Sequence, residues 1–195
     1  MPLRPGNPGG MGALGYPSFG DASRAMPSEQ APSTSASMSD APMAASSWAI
    51  VDSPNTGDGQ TTNLLPGVTC VSAADCWAVG YYDTGNTRYQ TLIQRWDGAS
   101  WARVASPNTA TTQDNRLQGV TCASTSDCWA VGYSGGTSKT LIEHWNGAAW
   151  TIVPSPNTGA AQSNYLYGAK CNSATDCWAV GYYLTGGTYQ TLAVR

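Results

Sequence analysis

Charge is scarce in this chain: Asp, Glu, Lys and Arg make up 11% of its 195 residues, against roughly a quarter in a typical soluble domain. Long solvated helices carry Glu and Lys on their outer face, so the shortage disfavours them and points to strands joined by turns. There is one His and one Phe, no cluster of Lys or Arg, and no run of eighteen apolar residues. One His, with cysteines that lack C-x2-C spacing, does not provide the usual zinc-binding sets. With a net charge of −3 and a pI near 4.8, the chain has little with which to neutralise a phosphate backbone, which sets nucleic acid aside as a partner. The missing apolar run excludes a membrane-spanning helix.

Composition then divides the chain. Residues 1–45 hold all five Met, the only Phe (Phe19) and seven of the twelve Pro, with no Cys or Trp. Stretches such as MPLRPGNPGG and APSTSASMSDAP are too rich in Pro, Gly and Ser to bury a core, so 1–45 is expected to be a disordered tail and 46–195 the folded part. The basic start is not followed by an uninterrupted apolar segment of about 7 to 15 residues, so no clear export signal is evident there.

The folded part is repetitive. SPNT begins at Ser53, Ser106 and Ser155, and a C-x5-C pair begins at Cys70, Cys122 and Cys171, giving three units of about fifty residues: about 46–98, 99–147 and 148–195. Each unit offers four short segments rich in Val, Ile, Tyr, Trp and Thr. In the first these are GVTCVS (67–72), CWAVGYY (76–82), TLIQRW (91–96) and SWARVASP (100–107), bounded by turn residues. Asp97-Gly98 and Asn146-Gly147 suit a two-residue hairpin turn. The third unit stops at TLAVR, while SSWAIVDSPNT stands alone at the start of the first unit as a fourth strand that could close the last one. Four antiparallel strands per unit describe β-propeller blades, an all-β fold. Three blades make either part of a larger array or half of a six-bladed ring formed by a homodimer.

The pattern AVGYY, TLIQRW, DG and SWARV resembles the kelch blade, and DCWAVGYY…TLIEHWNGAAWTIVPSPNT is similar to tandem repeats of bacterial proteins, across residues 46–195. One glycine stands in AVG where a kelch blade has two. The W-D-G-x-x-W turn of Trp96–Trp101 also resembles that of fucose-binding lectins built from short blade sets.

Cys70 with Cys76, Cys122 with Cys128 and Cys171 with Cys177 each straddle a tight turn between the first and second strands. Such a turn places the flanking residues opposite each other on a ladder, within disulfide reach. Structural disulfides are therefore expected, with free buried thiols as the alternative; the redox reading lacks C-x-x-C and a helix. Persistent disulfides imply an oxidising compartment, hence an extracellular or cell-surface location.

Every Trp occupies a repeat position, as core residues do and a single site need not. His144 aligns with Arg95 and Arg195, and Glu143 with Gln94 and Val194, so neither belongs to a recurring catalytic set. Asp75, Asp127 and Asp176 read as turn residues bonding their own backbone. No cofactor or metal site is expected, and no enzymatic activity; a propeller-type glycoside hydrolase would need paired carboxylates.

Variation concentrates in the loop after the second strand and the loop after SPN, which an up-and-down blade places on one face. Asn63, Arg88, Tyr89, Asn115, Arg116, Asn164, Tyr165 and Tyr189 are the ligand-contact candidates there. The sequence thus suggests a non-enzymatic module for binding or adhesion with a glycan or protein ligand, or else a structural segment of a larger repeat protein.

Overall fold

The computed structural model describes residues 48–57, 61–85 and 88–195, and the tail expected over 1–45 lies outside them. Among the described residues the regular structure is entirely strand: β1 (Asn63–Ser72), β2 (Asp75–Asp83), β3 (Tyr89–Trp96), β4 (Trp101–Val104), β5 (Asn115–Ser124), β6 (Asp127–Ser134), β7 (Lys139–Trp145), β8 (Trp150–Val153), β9 (Asn164–Ser173), β10 (Asp176–Thr185) and β11 (Thr188–Val194). They form three antiparallel meanders, β1-β2-β3-β4, β5-β6-β7-β8 and β9-β10-β11, one per sequence repeat. This is the all-β blade architecture, with four, four and three strands per blade.

The first strands lie side by side, β1 against β5 and β5 against β9. Glycine permits that approach: a Cβ on Gly67 would lie 2.9 Å from the carbonyl oxygen of Gln118, and one on Gly119 2.7 Å from that of Tyr167. In the first two blades the fourth strand sits at the opposite edge.

Each first strand begins at its Asn, earlier than hydrophobic patterning suggests. The extension is possible because the strand is irregular between Leu64 and Gly67, and again between Leu117 and Gly119. The kinked strand carries the carbonyls of Leu64, Arg116 and Tyr165 against the second strand, where a Cβ at Gly80, Gly132 or Gly181 would collide with them. This is the physical reason for the single glycine in every AVG.

The DG and NG turns differ from the expected two-residue hairpin. Trp96 pairs with Trp101 and Trp145 with Trp150, so four residues make each turn. The side chain of Asp97 accepts from the N–H groups of Ala99 and Ser100, both at 2.9 Å. Asn146 does the same for Ala148 and Ala149 at 3.0 Å. A side chain that caps two amides stabilises the longer turn, while Gly98 and Gly147 supply its positive φ.

The main core lies between the first and second blades. Trp77, Val79 and Ile93 of one pack with Leu117, Val120, Trp145 and Trp150 of the other. A smaller cluster of Val131, Leu166 and Ala179 lies between the second and third blades.

Candidate functional site

The two ends of the blades are chemically different. At one end the cysteine hairpin meets the DG or NG turn: Trp96 Nε1 donates to Ala73 O at 3.1 Å and Trp145 Nε1 to Thr125 O at 3.3 Å. Cys70–Cys76, Cys122–Cys128 and Cys171–Cys177 are disulfide-bonded and directly paired in register, with Cα atoms 3.9, 3.9 and 4.0 Å apart. Three such bonds place the protein in an oxidising, non-cytoplasmic compartment.

The aspartates beside these hairpins bond other side chains instead of the expected turn backbone, where the amides of Ala74, Ser126 and Thr175 donate to the hydroxyls of Ser72, Ser124 and Ser173. Asp75 makes a bidentate pair with Arg95, at 2.8 and 3.0 Å. Asp127 Oδ1 lies 2.8 Å from His144 Nε2, and Asp176 pairs with Arg195 at 3.3 Å. In each blade the cationic or imidazole partner also covers the Trp after the second cysteine: Arg95 over Trp77, His144 stacked on Trp129 at 4.2 Å, and Arg195 over Trp178. His144, which aligns with Arg95 and Arg195, is thus one member of a repeated Asp, Arg or His, Trp sandwich. Hydrogen bonds, that of Asn172 foremost, hold the Asp176 carboxyl below the usual carboxylate range.

At the other end the two variable loops meet. Asp83, Gly135 and Leu184 donate their N–H to the carbonyls of Thr62, Asp114 and Ser163, joining the end of each second strand to the loop before the first. Lys139 Nζ donates to the carbonyls of Gly159, Ala160 and Gln162 at 3.0, 2.8 and 2.7 Å. Its repeat partner Gln90 reaches the carbonyl of Gln113 at 3.1 Å. The SPN asparagines fasten the same loops to the third strands, since Asn108 and Asn157 accept the N–H of Thr91 and Thr140, each at 3.0 Å.

The candidate residues separate into buried or half-buried clamps, the exposed Arg88 and an aromatic group. Asn63, Asn115 and Asn164 are clamps inside the loops, which corrects the ligand-contact expectation for them. Asn115 Oδ1 accepts both the N–H and the hydroxyl of Thr109, at 2.8 and 2.7 Å, and its amide donates to Ala110 and Gln113. Asn63 and Asn164 repeat this with Thr56 and Thr158. Asn115 and Asn164 are fully buried, with their amides occupied by the loop. Arg88 is exposed, and its carbonyl accepts from Thr84.

Arg116, Tyr89, Tyr165 and Tyr189 come together with four residues that sequence reasoning had not selected: Tyr81, Tyr133, Tyr167 and Tyr182. The guanidinium of Arg116 lies 3.9, 5.1 and 5.9 Å from the ring centres of Tyr89, Tyr81 and Tyr133. Tyr133 packs on Tyr165 at 4.8 Å, Tyr165 on Tyr182 at 4.9 Å, and Tyr182 on Tyr189 at 5.0 Å. The result is a continuous tyrosine and arginine strip across all three blades. Its construction follows from register: Leu64, Arg116 and Tyr165 sit opposite the repeated Tyr81, Tyr133 and Tyr182. The strip thus alternates a constant phenol with a position that is aliphatic, cationic and aromatic in turn. Tyr167 and Tyr189 are exposed, while the others are half-buried. The GYY of the repeat was the available signal, but it reads equally as strand hydrophobicity.

Glu143 is the one fully buried carboxylate among the described residues. Burial pushes it up from its ordinary 4.5 to about 8, while the Ser106 hydroxyl, donating at 3.0 Å, acts the other way. It belongs to the interior rather than to either end.

No family model and no curated protein matches the sequence. Among solved structures, that of YCF48 bound to D1 peptide is similar over 73% of this chain and 46% of its own, at 14% identity and a TM-score of 0.43. The chain therefore spans less than half the length of that structure. The blade assignment rests on the sheets themselves and not on this likeness.

Proposed function

We propose that the protein is a non-enzymatic extracellular binding module of kelch-like blades, which contacts a protein or glycan ligand through the strip at its loop end. The carrying observation is the strip of Arg116, Tyr81, Tyr89, Tyr133, Tyr165, Tyr182 and Tyr189 on a rigid, disulfide-stapled scaffold. Tyrosine and arginine offer large, amphipathic contact area at low conformational cost and dominate the energetics of recognition surfaces. The non-enzymatic reading is supported by Glu143: the buried acid is replaced by Gln94 and Val194 in the other repeats and, among the described residues, accepts from Ser106 alone. The oxidised chain is to be tested on a glycan array and against surface and secreted proteins, in parallel with its Tyr189→Ala and Arg116→Ala variants. A ligand whose affinity drops at least about tenfold in both variants supports the reading, since each such side chain contributes more than about 1.4 kcal/mol at a recognition hot spot. Binding indifferent to both variants, or turnover of a glycoside, overturns it.

A further inference from the structure

The two outer faces of the three-blade unit carry the same residues as the two inner ones, uncovered. Val79 and Val131 are buried by the following blade, and Val131 is 2% exposed, whereas their repeat partner Val180 is 52% exposed. On the receiving side Val120 is 7% exposed and its partner Val68 is 66% exposed. Trp145 and Trp150 are buried against Trp77, at ring distances of 4.8 and 5.2 Å, while their partners Trp96 and Trp101 are only half-buried. Trp178, the partner of Trp77, is 43% exposed.

The outer edge of β11 pairs with nothing among the described residues. Between the second and third blades lies a cavity of about 310 Å³ lined by Trp129, Val131, Ile142, Ala179 and Val194. It occupies the place that Trp145 and Trp150 fill one blade earlier. Trp48, which aligns with Trp101 and Trp150 as the first residue of the WAIV segment, is fully exposed, as is Ile50.

We infer that two copies of this chain join head to tail, the Trp48–Val51 segment of each adding to the free edge of β11 of the other as a fourth strand. Trp48 then enters the cavity beside Trp129, and Val180 of one copy meets Val68 of the next, continuing the interface already formed twice within the chain. Register follows from the first blade, where Ile93, Gln94 and Arg95 face Val104, Arg103 and Ala102. In the same alignment Ala193, Val194 and Arg195 face Val51, Ile50 and Ala49 of the second copy. The chain then proceeds through SPNT into β1, as β4 proceeds through its SPNT into β5, so strand donation and blade docking are one event. Closed propellers carry about four to eight blades, and two copies of the three-blade unit supply six. This inference stands independently of the ligand strip.

The oxidised full-length chain is to be examined by light scattering over a range of concentrations, beside Trp48→Ala. A discrete dimer, halved in mass by Trp48→Ala with an unchanged far-ultraviolet spectrum, is expected. As a second measurement, an Ile50→Cys chain is mixed with a Val194→Cys chain. A disulfide joining the two chains is expected, and none when Thr191→Cys replaces Val194→Cys. A wild-type monomer at every concentration, an oligomer indifferent to Trp48→Ala, or a 50–194 bond formed only within one doubly substituted chain overturns the inference.

Discussion

The indole of Trp77 in the first blade packs 4.8 Å from that of Trp145 in the second, inclined at 53°, and both are buried. This pair is the centre of the larger core. Trp77→Ala is expected to cost about 3–5 kcal/mol, as large aromatic truncations in a packed core do. Trp178→Ala, made in the Trp48→Ala chain so that no second copy covers it, is expected to cost less than about 1 kcal/mol. Denaturant unfolding of both variants checks the contrast.

Gly132 faces the Arg116 carbonyl where no Cβ fits, and backbone cannot give way as a side chain can. Gly132→Ala is expected to destabilise by more than about 3 kcal/mol or to prevent folding, by the overpacking mechanism. Gly136, with nothing within 4 Å of a Cβ, is the control, and Gly136→Ala is expected to be near neutral in thermal unfolding.

Glu143 makes stability depend on pH. Between its ordinary 4.5 and about 8 the folded state holds a proton that the unfolded chain releases. Stability therefore falls as pH rises through this window, by up to about 1.4 kcal/mol per pH unit, and levels off above it. Glu143→Gln is expected to flatten the curve. In the first blade Gln94 already fills the equivalent place and donates to the Pro54 carbonyl at 2.7 Å. Urea midpoints measured from pH 4 to 9 decide this.

Lys139 ties the second blade to the loop over 157–163 through three charge-assisted hydrogen bonds. Lys139→Met is expected to lower stability by about 1–3 kcal/mol. Amide exchange is expected to quicken in that loop while β5 and β6 keep their protection.

The architecture was legible in the sequence because every strand, disulfide and core indole repeats. Periodicity reports what each unit needs, so the Cys70–Cys76 staple and the loop-bearing face could be read directly. Three features escaped that reading. The Asp75–Arg95 pair joins residues twenty positions apart across two strands, whereas Asp beside a turn looks like a cap. Asn115 looked like a variable-loop polar group, yet repetition of Asn63, Asn115 and Asn164 marked a structural clamp. The tyrosine strip needs the shift of register between Leu64 and Gly67, which simple alternation does not reveal, and the side-by-side placement of blades, which no single repeat encodes.

The stapled hairpin connects sequence, compartment and scaffold, and closing so short a loop contributes about 2 kcal/mol per blade. The most direct measurement is mass spectrometric peptide mapping of the native protein after alkylation without reductant. Three local disulfides, Cys70–Cys76, Cys122–Cys128 and Cys171–Cys177, with no alkylated cysteine, is the expected result. Six alkylated thiols in a folded protein, or bonds joining different blades, would contradict both the scaffold and the oxidising location.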